Sequence, residues 1–316
     1  MLKRIKDSIL DILRQADWLL LCLCCGAALF GLVMIASATN FLGSWKMVIV
    51  QACAIVLGVG IYFLMSQIDL TEASKRWKWV LAFGIVLFLL LKTPLGIENN
   101  GNRAWLGIRG FPANIQPAEI VKLTFILVLS KQLVWVKGHW GLRSLRSVAF
   151  LGGHLLLMVG LYYAISSDMG SALVYAFVFA AMAFVAGVAA RWFVIALLGG
   201  GAAFYLLWEL DKIPDYMKER FMVVFDHSLD PLGAGWQQTR SLLALGGGKL
   251  TGQGLFHGIQ TQGEYSGSLP FRYTDFIFSA IGEELGMLGC LAVLILLTAI
   301  IVRCLMVAKN ARNTIE

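Results

Sequence analysis

Eight continuous apolar stretches run through this 316-residue chain, with short basic clusters in alternate links between them. A helix that crosses the hydrocarbon core of a bilayer needs about 20 mostly apolar residues. The stretches lie at roughly 18–38, 47–66, 78–95, 117–136, 147–166, 169–190, 192–209 and 276–306. The last opens on polar residues, so its apolar part is expected to begin near Leu285. In lipid, backbone groups must be satisfied internally, which only helices and closed barrels achieve. A barrel would show segments of about ten residues with alternating polarity, and these runs are continuous. The expected fold is all-α: a polytopic transmembrane helical bundle of about eight spans, with a long outer loop before the last.

Composition closes the other routes. Hydrophobic residues make up 59% and charged residues 14% of the chain, against roughly a quarter charged in soluble domains. That leaves too little charge to coat a soluble surface, and too much hydrophobicity for disorder. The cysteines (Cys22, Cys24, Cys25, Cys53, Cys290, Cys304) all sit in apolar runs, without the spacing of a disulfide framework or a zinc site. The net charge of +7 is divided among the links rather than gathered on a soluble face, which argues against nucleic acid as a partner.

The links also set the orientation, because Lys and Arg favour the cytoplasmic side. Lys3, Arg4, Lys6 and Arg14 lie on an amphipathic segment, residues 1–17. It lacks the cleavage pattern of a signal peptide and is expected on the cytoplasmic surface. Lys75, Arg76 and Lys78, then Lys137, Arg143 and Arg146, then Arg191, then Arg303, Lys309 and Arg312 fall on the same side if eight helices alternate. Both termini are then cytoplasmic. Residues 18–309 form the membrane domain, about 210–275 its outer loop, and 310–316 a cytoplasmic tail. The outer loop is too long for an idle connection. Its apolar, glycine-rich middle, Ser241–Leu255, is expected to fold back partly against the membrane.

Five constellations carry chemistry. Asn99-Asn100-Gly101-Asn102-Arg103-Ala104-Trp105 reads as a turn. Arg103 and Trp105 there suit either an interfacial anchor or an anionic head group gripped by a guanidinium fork. Gln116-Pro117-Ala118-Glu119-Ile120-Val121-Lys122 opens a helix, and Glu119 and Lys122 can pair at i,i+3, as a packing device or as part of a site. Asp168 reads as a helix cap, which does not stop it facing the outer cavity. Gln237 and Arg240 precede Gly246-Gly247-Gly248-Lys249-Leu250-Thr251-Gly252-Gln253-Gly254. This is no Walker loop, since Lys249 is not followed by Ser or Thr and no strand precedes it; its glycines instead permit close approach to a substrate. Finally, Arg272-Tyr273-Thr274-Asp275-Phe276 leads into Gly282-Glu283-Glu284-Leu285-Gly286. Desolvation between aromatics would make Asp275 a better base, or it caps a helix. Glu283 and Glu284 enter apolar surroundings, where carboxylates need partners or a function.

In this order the motifs resemble the SEDS family (shape, elongation, division and sporulation), the family of RodA, FtsW and SpoVE. The resemblance rests on Asn100–Trp105, Gln116–Leu123, Asp168–Leu173, Gly235–Gly254 and, most specifically, Thr274–Gly286, and covers about Asp17 to Lys309. It implies a peptidoglycan glycosyltransferase of the bacterial cytoplasmic membrane that polymerises lipid II on the outer face. Its implied partners are a class B penicillin-binding protein and the elongasome or divisome. It also implies that Asp275 is the essential catalytic aspartate. Conversion of an α-linked donor to a β-linked product implies inversion by a single displacement, which one carboxylate base can serve. The leaving diphosphate calls for Arg103, Lys122, Arg240 or Arg272, or for a divalent cation such as Mg or Mn, for which no ligand set is legible. Gln116 and Glu119 would shape the cavity, and Trp236, Gly247 and Gly248 the lipid path. Family members usually have ten spans, so a chain lacking the last two is expected here. Transport of lipid II and a non-catalytic scaffold for the penicillin-binding protein are the alternatives. A carrier often repeats paired broken helices, and no such repeat is visible.

Overall fold

The computed structural model describes residues 16–99, 102–107, 114–213, 215–263 and 268–309. Most of the amphipathic N-terminus, Asn100-Gly101 and the 310–316 tail lie outside them. In chain order the elements are α1 (Trp18–Ala38), α2 (Lys46–Met65), α3 (Leu70–Lys75), α4 (Trp77–Leu90), β1 (Gly96–Asn99), β2 (Asn102–Leu106), α5 (Pro117–His139), α6 (Leu145–Ser166), α7 (Met169–Ala186), α8 (Ala190–Glu209), α9 (Asp215–Val223), α10 (Ala234–Gly247), α11 (Ile259–Gln262) and α12 (Ile277–Lys309).

A helix stands at each of the eight apolar stretches, and six are long and apolar enough to cross a membrane: α1, α2, α6, α7, α8 and α12. The chain is a multi-pass membrane protein. The other two fall short for different reasons. With 14 residues, α4 extends only about 21 Å at 1.5 Å per residue. The 23-residue α5 carries Glu119, Lys122, Lys131 and Lys137. Its buried positions, Ala118, Val121, Phe125, Val128, Leu129, Leu133 and Val136, recur at three and four residues, the stripe of a helix packed on one face. Helix starts follow the sequence signals. Asp17, Asp69, Ser144 and Asp168 accept backbone amides of the first turns of α1, α3, α6 and α7, and Pro117 takes the first turn of α5.

The chain forms two compact units. The second, Ile68–Leu206, packs around α5. Phe88, Phe125, Leu129, Leu151, Met158, Tyr162 and Tyr175 are all but fully buried there. Its antiparallel β1–β2 hairpin pairs Gly96 with Leu106 and Ile97 with Trp105. These are the strands of the described residues, where the sequence reading placed only a turn.

The first unit gathers the described residues up to Gln67 and those from Leu207 onward. Here α1 runs antiparallel to α12. Asp17 meets Arg303 at one end, and Ser37 meets Glu284 at the other. No charged residue lies between the tie points on either helix. About 20 residues at 1.5 Å each give roughly 30 Å, the thickness of the hydrocarbon core.

Helix α12 is broken at Gly286, where φ is +67° and ψ −165°. The expected start of the apolar part near Leu285 falls at this break. The loop 249–254 seals it. The amides of Gln253 and Gly254 donate to the carbonyls of Glu283 and Glu284 at 2.8 and 2.9 Å, and the amides of Met287 and Leu288 donate to Lys249 and Leu250 at 2.9 and 3.2 Å. Each such group left unpaired in an apolar surrounding would cost about 1–3 kcal/mol.

Candidate functional site

In the first unit the segment Ile277–Gly286 is packed against α10, and the two run parallel. Ser241 Oγ meets Ser279 Oγ at 2.6 Å, and Ala244 and Ala280 share a small core with Leu269 and Phe276. Further along, Gly248 faces Gly282. Followed backwards, this seam leads to Gln237 and Arg240 on α10 and to Asp275 at the head of α12. The Arg240 guanidinium lies over the Trp236 ring at 5.6 Å.

Two buried carboxylates hold the loop beneath Asp275. Glu283 accepts the amides of Gln260 and Thr261 and the Thr261 hydroxyl, all at 2.6–2.7 Å. Glu284 accepts Ser37 Oγ at 2.5 Å and Gln262 Nε2 at 2.8 Å. Both side chains are essentially inaccessible, 1% and 0% exposed, so their oxygens are satisfied by protein donors. Arg272 completes the frame. It is buried, donates to the carbonyls of Gln260 and Gly263 at 2.9 Å, and lies 3.5 Å from the centre of the Phe41 ring. Burial lowers its pKa, against the opposing pull of Glu283. Its Nη1 donors are taken up by this frame and its guanidinium is buried, which sets it apart from the exposed or half-buried cations considered for a diphosphate.

Asp275 itself is exposed and forms no hydrogen bond or ion pair among the described residues. The sequence reading expected aromatic neighbours to desolvate it. Instead Phe276 packs inward on the Ala244–Ala280 core, while Phe271, at a φ of +46°, and Phe278 stay 51% and 38% exposed, and none of them covers Asp275. Arg272, not Asp275, is the charged group folded inward. The capping role considered for Asp275 is not taken up either.

The glycines reserved for close approach meet the chain's own backbone. A Cβ on Gly248 would lie 1.7 Å from the Gly282 carbonyl oxygen, and one on Gly252, at φ +81°, 2.1 Å from that of Glu284. Gly247 would meet only the Gln253 side chain, at 3.0 Å.

In the second unit the starts of α5 and α7 come together. Asp168 accepts the Ser171 amide at 3.2 Å and hydroxyl at 2.7 Å, Tyr162 Oη at 2.9 Å and Gln116 Nε2 at 3.4 Å. Burial raises the Asp168 pKa, but the bonds from Ser171 and Tyr162 outweigh it and leave it below the usual carboxylate value. Glu119 and Lys122 pair at 2.7 Å. On β2, Arg103 donates to the Thr93 carbonyl at 2.9 Å, while its Nε is buried without a partner. Trp105 is half-buried beside it. Sequence reasoning missed Ser37, Thr261, Gln262, Tyr162 and Ser171. Only Tyr162 and Ser171, near Asp168 in the chain, could have been found locally.

Among the described residues, no three His, Cys, Asp or Glu side chains come together where they could hold a metal ion, so no step below is routed through one. What the first unit offers is a free carboxylate on a rigid mount, with Arg240 further along the same seam.

The family model of the FtsW, RodA and SpoVE cell cycle proteins matches residues 17–316. The chain is 33% identical over 266 residues to the probable peptidoglycan glycosyltransferase FtsW of Nitrosococcus halophilus, covering 83% of this chain and 65% of that one. It is 32% identical over 262 residues to the peptidoglycan glycosyltransferase MrdB of Escherichia coli K12, covering 82% and 67%. The chain thus spans about two thirds of the length of these relatives. Among solved structures, a chain of a peptidoglycan synthase complex that coordinates polymerization and crosslinking superposes with a TM-score of 0.77 at 26% identity, covering 95% of this chain and 80% of that one. Thermus thermophilus RodA superposes at 0.63 and 24% identity, covering 95% and 77%, a likeness of fold.

Proposed function

The chain belongs to the FtsW, RodA and SpoVE family of cell cycle proteins, and on that premise we propose that it is an inverting peptidoglycan glycosyltransferase that polymerises lipid II. It works in the bacterial cytoplasmic membrane with both termini inside and the 210–275 loop outside. Its partner is a class B penicillin-binding protein that cross-links the product. Support comes from the activity named for its relatives and from its likeness to a chain of a peptidoglycan synthase complex.

The observation that carries the mechanism is Asp275: exposed, unpaired among the described residues, and mounted on a frame whose other charges are committed. A general base must reach the proton that it takes. Here the acceptor sugar hydroxyl gives its proton to the Asp275 carboxylate as its oxygen bonds to the anomeric carbon of the donor. The lipid diphosphate leaves from the opposite face with the bonding electron pair. Positive charge on that leaving group's side stabilises the developing anion. Arg240, stacked over Trp236, is the cation of the same unit suited to this.

The test uses the whole chain, purified with its penicillin-binding protein and given lipid II. The partner's transpeptidase is blocked, and moenomycin silences contaminating polymerases. Glycan polymer that disappears with Asp275→Ala is the expected result. No polymer from the unaltered chain, beside an active full-length relative, would overturn catalysis and favour the scaffold.

A further inference from the structure

The proposed reaction makes no use of a cluster in the second unit, at the end opposite the starts of α5 and α7. There the end of α5, the start of α6 and the start of α8 meet. Leu142 and Val188 close the core at this end. The carbonyl of Arg143 accepts both Arg191 Nη2, at 2.7 Å, and Trp192 Nε1, at 3.2 Å. This pins the Arg191 side chain to the residue that carries another guanidinium. At the second residue of α6, the Arg146 guanidinium lies 4.2 Å from the centre of the Trp140 ring. Trp140 packs edge-on against Trp135 at 4.8 Å and Phe150 at 5.7 Å. Arg143, Arg146, Arg191, Trp135 and Phe150 are all exposed.

No carboxylate answers these charges among the described residues. The sequence has no Asp or Glu between Glu119 and Asp168, nor between Asp168 and Glu209. The acids of the preceding link are committed elsewhere: Glu72 pairs with Lys75 at 2.5 Å, and Asp69 accepts the amides of Thr71 and Glu72. A general bias of basic residues toward one side of the membrane explains their number in these links. It does not explain why a backbone bond holds Arg191 to Arg143 while Arg146 stacks on an exposed aromatic group at the end of these helices.

We infer that Arg143, Arg146 and Arg191, with the Trp135–Trp140–Phe150 cluster, form a binding site for the head group of an anionic phospholipid. The guanidinium forks take the phosphate oxygens. The aromatic rings sit at head-group depth, against the glycerol and upper acyl chain. A lipid of the surrounding bilayer fits better than a soluble anion, because the exposed rings need an apolar neighbour.

The test places the 316-residue chain in nanodiscs of phosphatidylcholine, with or without phosphatidylglycerol. It reads the lipid retained on release into native mass spectrometry, and the melting temperature. The unaltered chain should retain phosphatidylglycerol over phosphatidylcholine and melt higher with it. R143Q/R146Q/R191Q should weaken retention roughly fivefold per arginine removed and lose the thermal gain. K75Q/R76Q/K78Q removes equal charge from another link and should change neither. Retention by the arginine variant equal to that of the unaltered chain, or an equal loss in the lysine-link variant, would overturn the site. So would the same stabilisation by inorganic phosphate in phosphatidylcholine alone. Should the triple variant fail to fold, R146Q, whose side chain is exposed, is read in the same way.

Discussion

Asp17 and Arg303 stand 286 positions apart in the chain, yet the guanidinium Nε lies 2.9 and 3.2 Å from the two carboxylate oxygens. The same carboxylate caps α1 through the Leu20 amide. One side chain thus both starts α1 and ties it to α12.

Arg303→Gln should lower the melting temperature of the purified chain, by roughly 1 kcal/mol in stability. The Arg303 hydrogen bond holds the Asp17 carboxyl below its usual pKa, against the opposing effect of burial. A depressed carboxylate stabilises the fold above its unfolded value, about 3.9, and loses that contribution as pH falls through the lower folded value. The gap between the two proteins should be full at neutral pH and close as the melt is taken below about pH 4.

The Glu283 carboxylate is buried against three donors that bond no other acceptor among the described residues. Glu283→Ala would strand two amides and a hydroxyl, at roughly 1–3 kcal/mol for each. Thermal unfolding should shift far down, and glycan synthesis should fall with it. Asp275→Ala removes an exposed, unpaired side chain, and its melt should stay within about 0.5 kcal/mol of the original while polymer vanishes. A large thermal loss for Asp275→Ala would show that it is part of the frame rather than mounted upon it.

Gly252→Ala and Gly248→Ala each drive a methyl group into a backbone carbonyl. Folded yield, read by size exclusion in detergent, should collapse for both. Gly246→Ala, with open space around its Cβ, should behave like the original or better, since alanine favours a helix. Normal yield for Gly252→Ala would mean that the loop does not seal α12 as described.

Tyr162→Phe removes a hydroxyl that donates to Asp168, from a ring that is otherwise buried. Stability should drop by about 1 kcal/mol. Combined with Asp168→Asn, the loss should be less than the sum, as expected for residues in contact. Additive losses in the double-mutant cycle would deny the pair.

Much of the fold could be read directly, because it is written locally. The cap at Asp168, the first-turn Pro117 and the change of character near Leu285 are contacts or transitions within one turn of a helix. What could not be read is distant in sequence. Nothing about Ser37 in its apolar helix points to Glu284. The glycines of 248–252 signalled a close approach but not its object, which is α12 itself. The hairpin was legible in principle, since Asn100-Gly101 between short strand-like stretches is a turn signal, though those two residues lie outside the described ones. The mistaken expectation for Asp275 came from counting its aromatic neighbours. Phe276 turns into the core and Phe271 stays outside, an arrangement set by a backbone turn that composition does not encode.

The antiparallel tie of α1 to α12 has a consequence in time. Ser37 must wait for its partner until 247 further residues have been made. At about 5–20 residues per second, synthesis alone imposes a delay of roughly 12–50 s. During that interval α1 can lie in the bilayer without either of these two ties, because Glu284 and Arg303 both belong to α12.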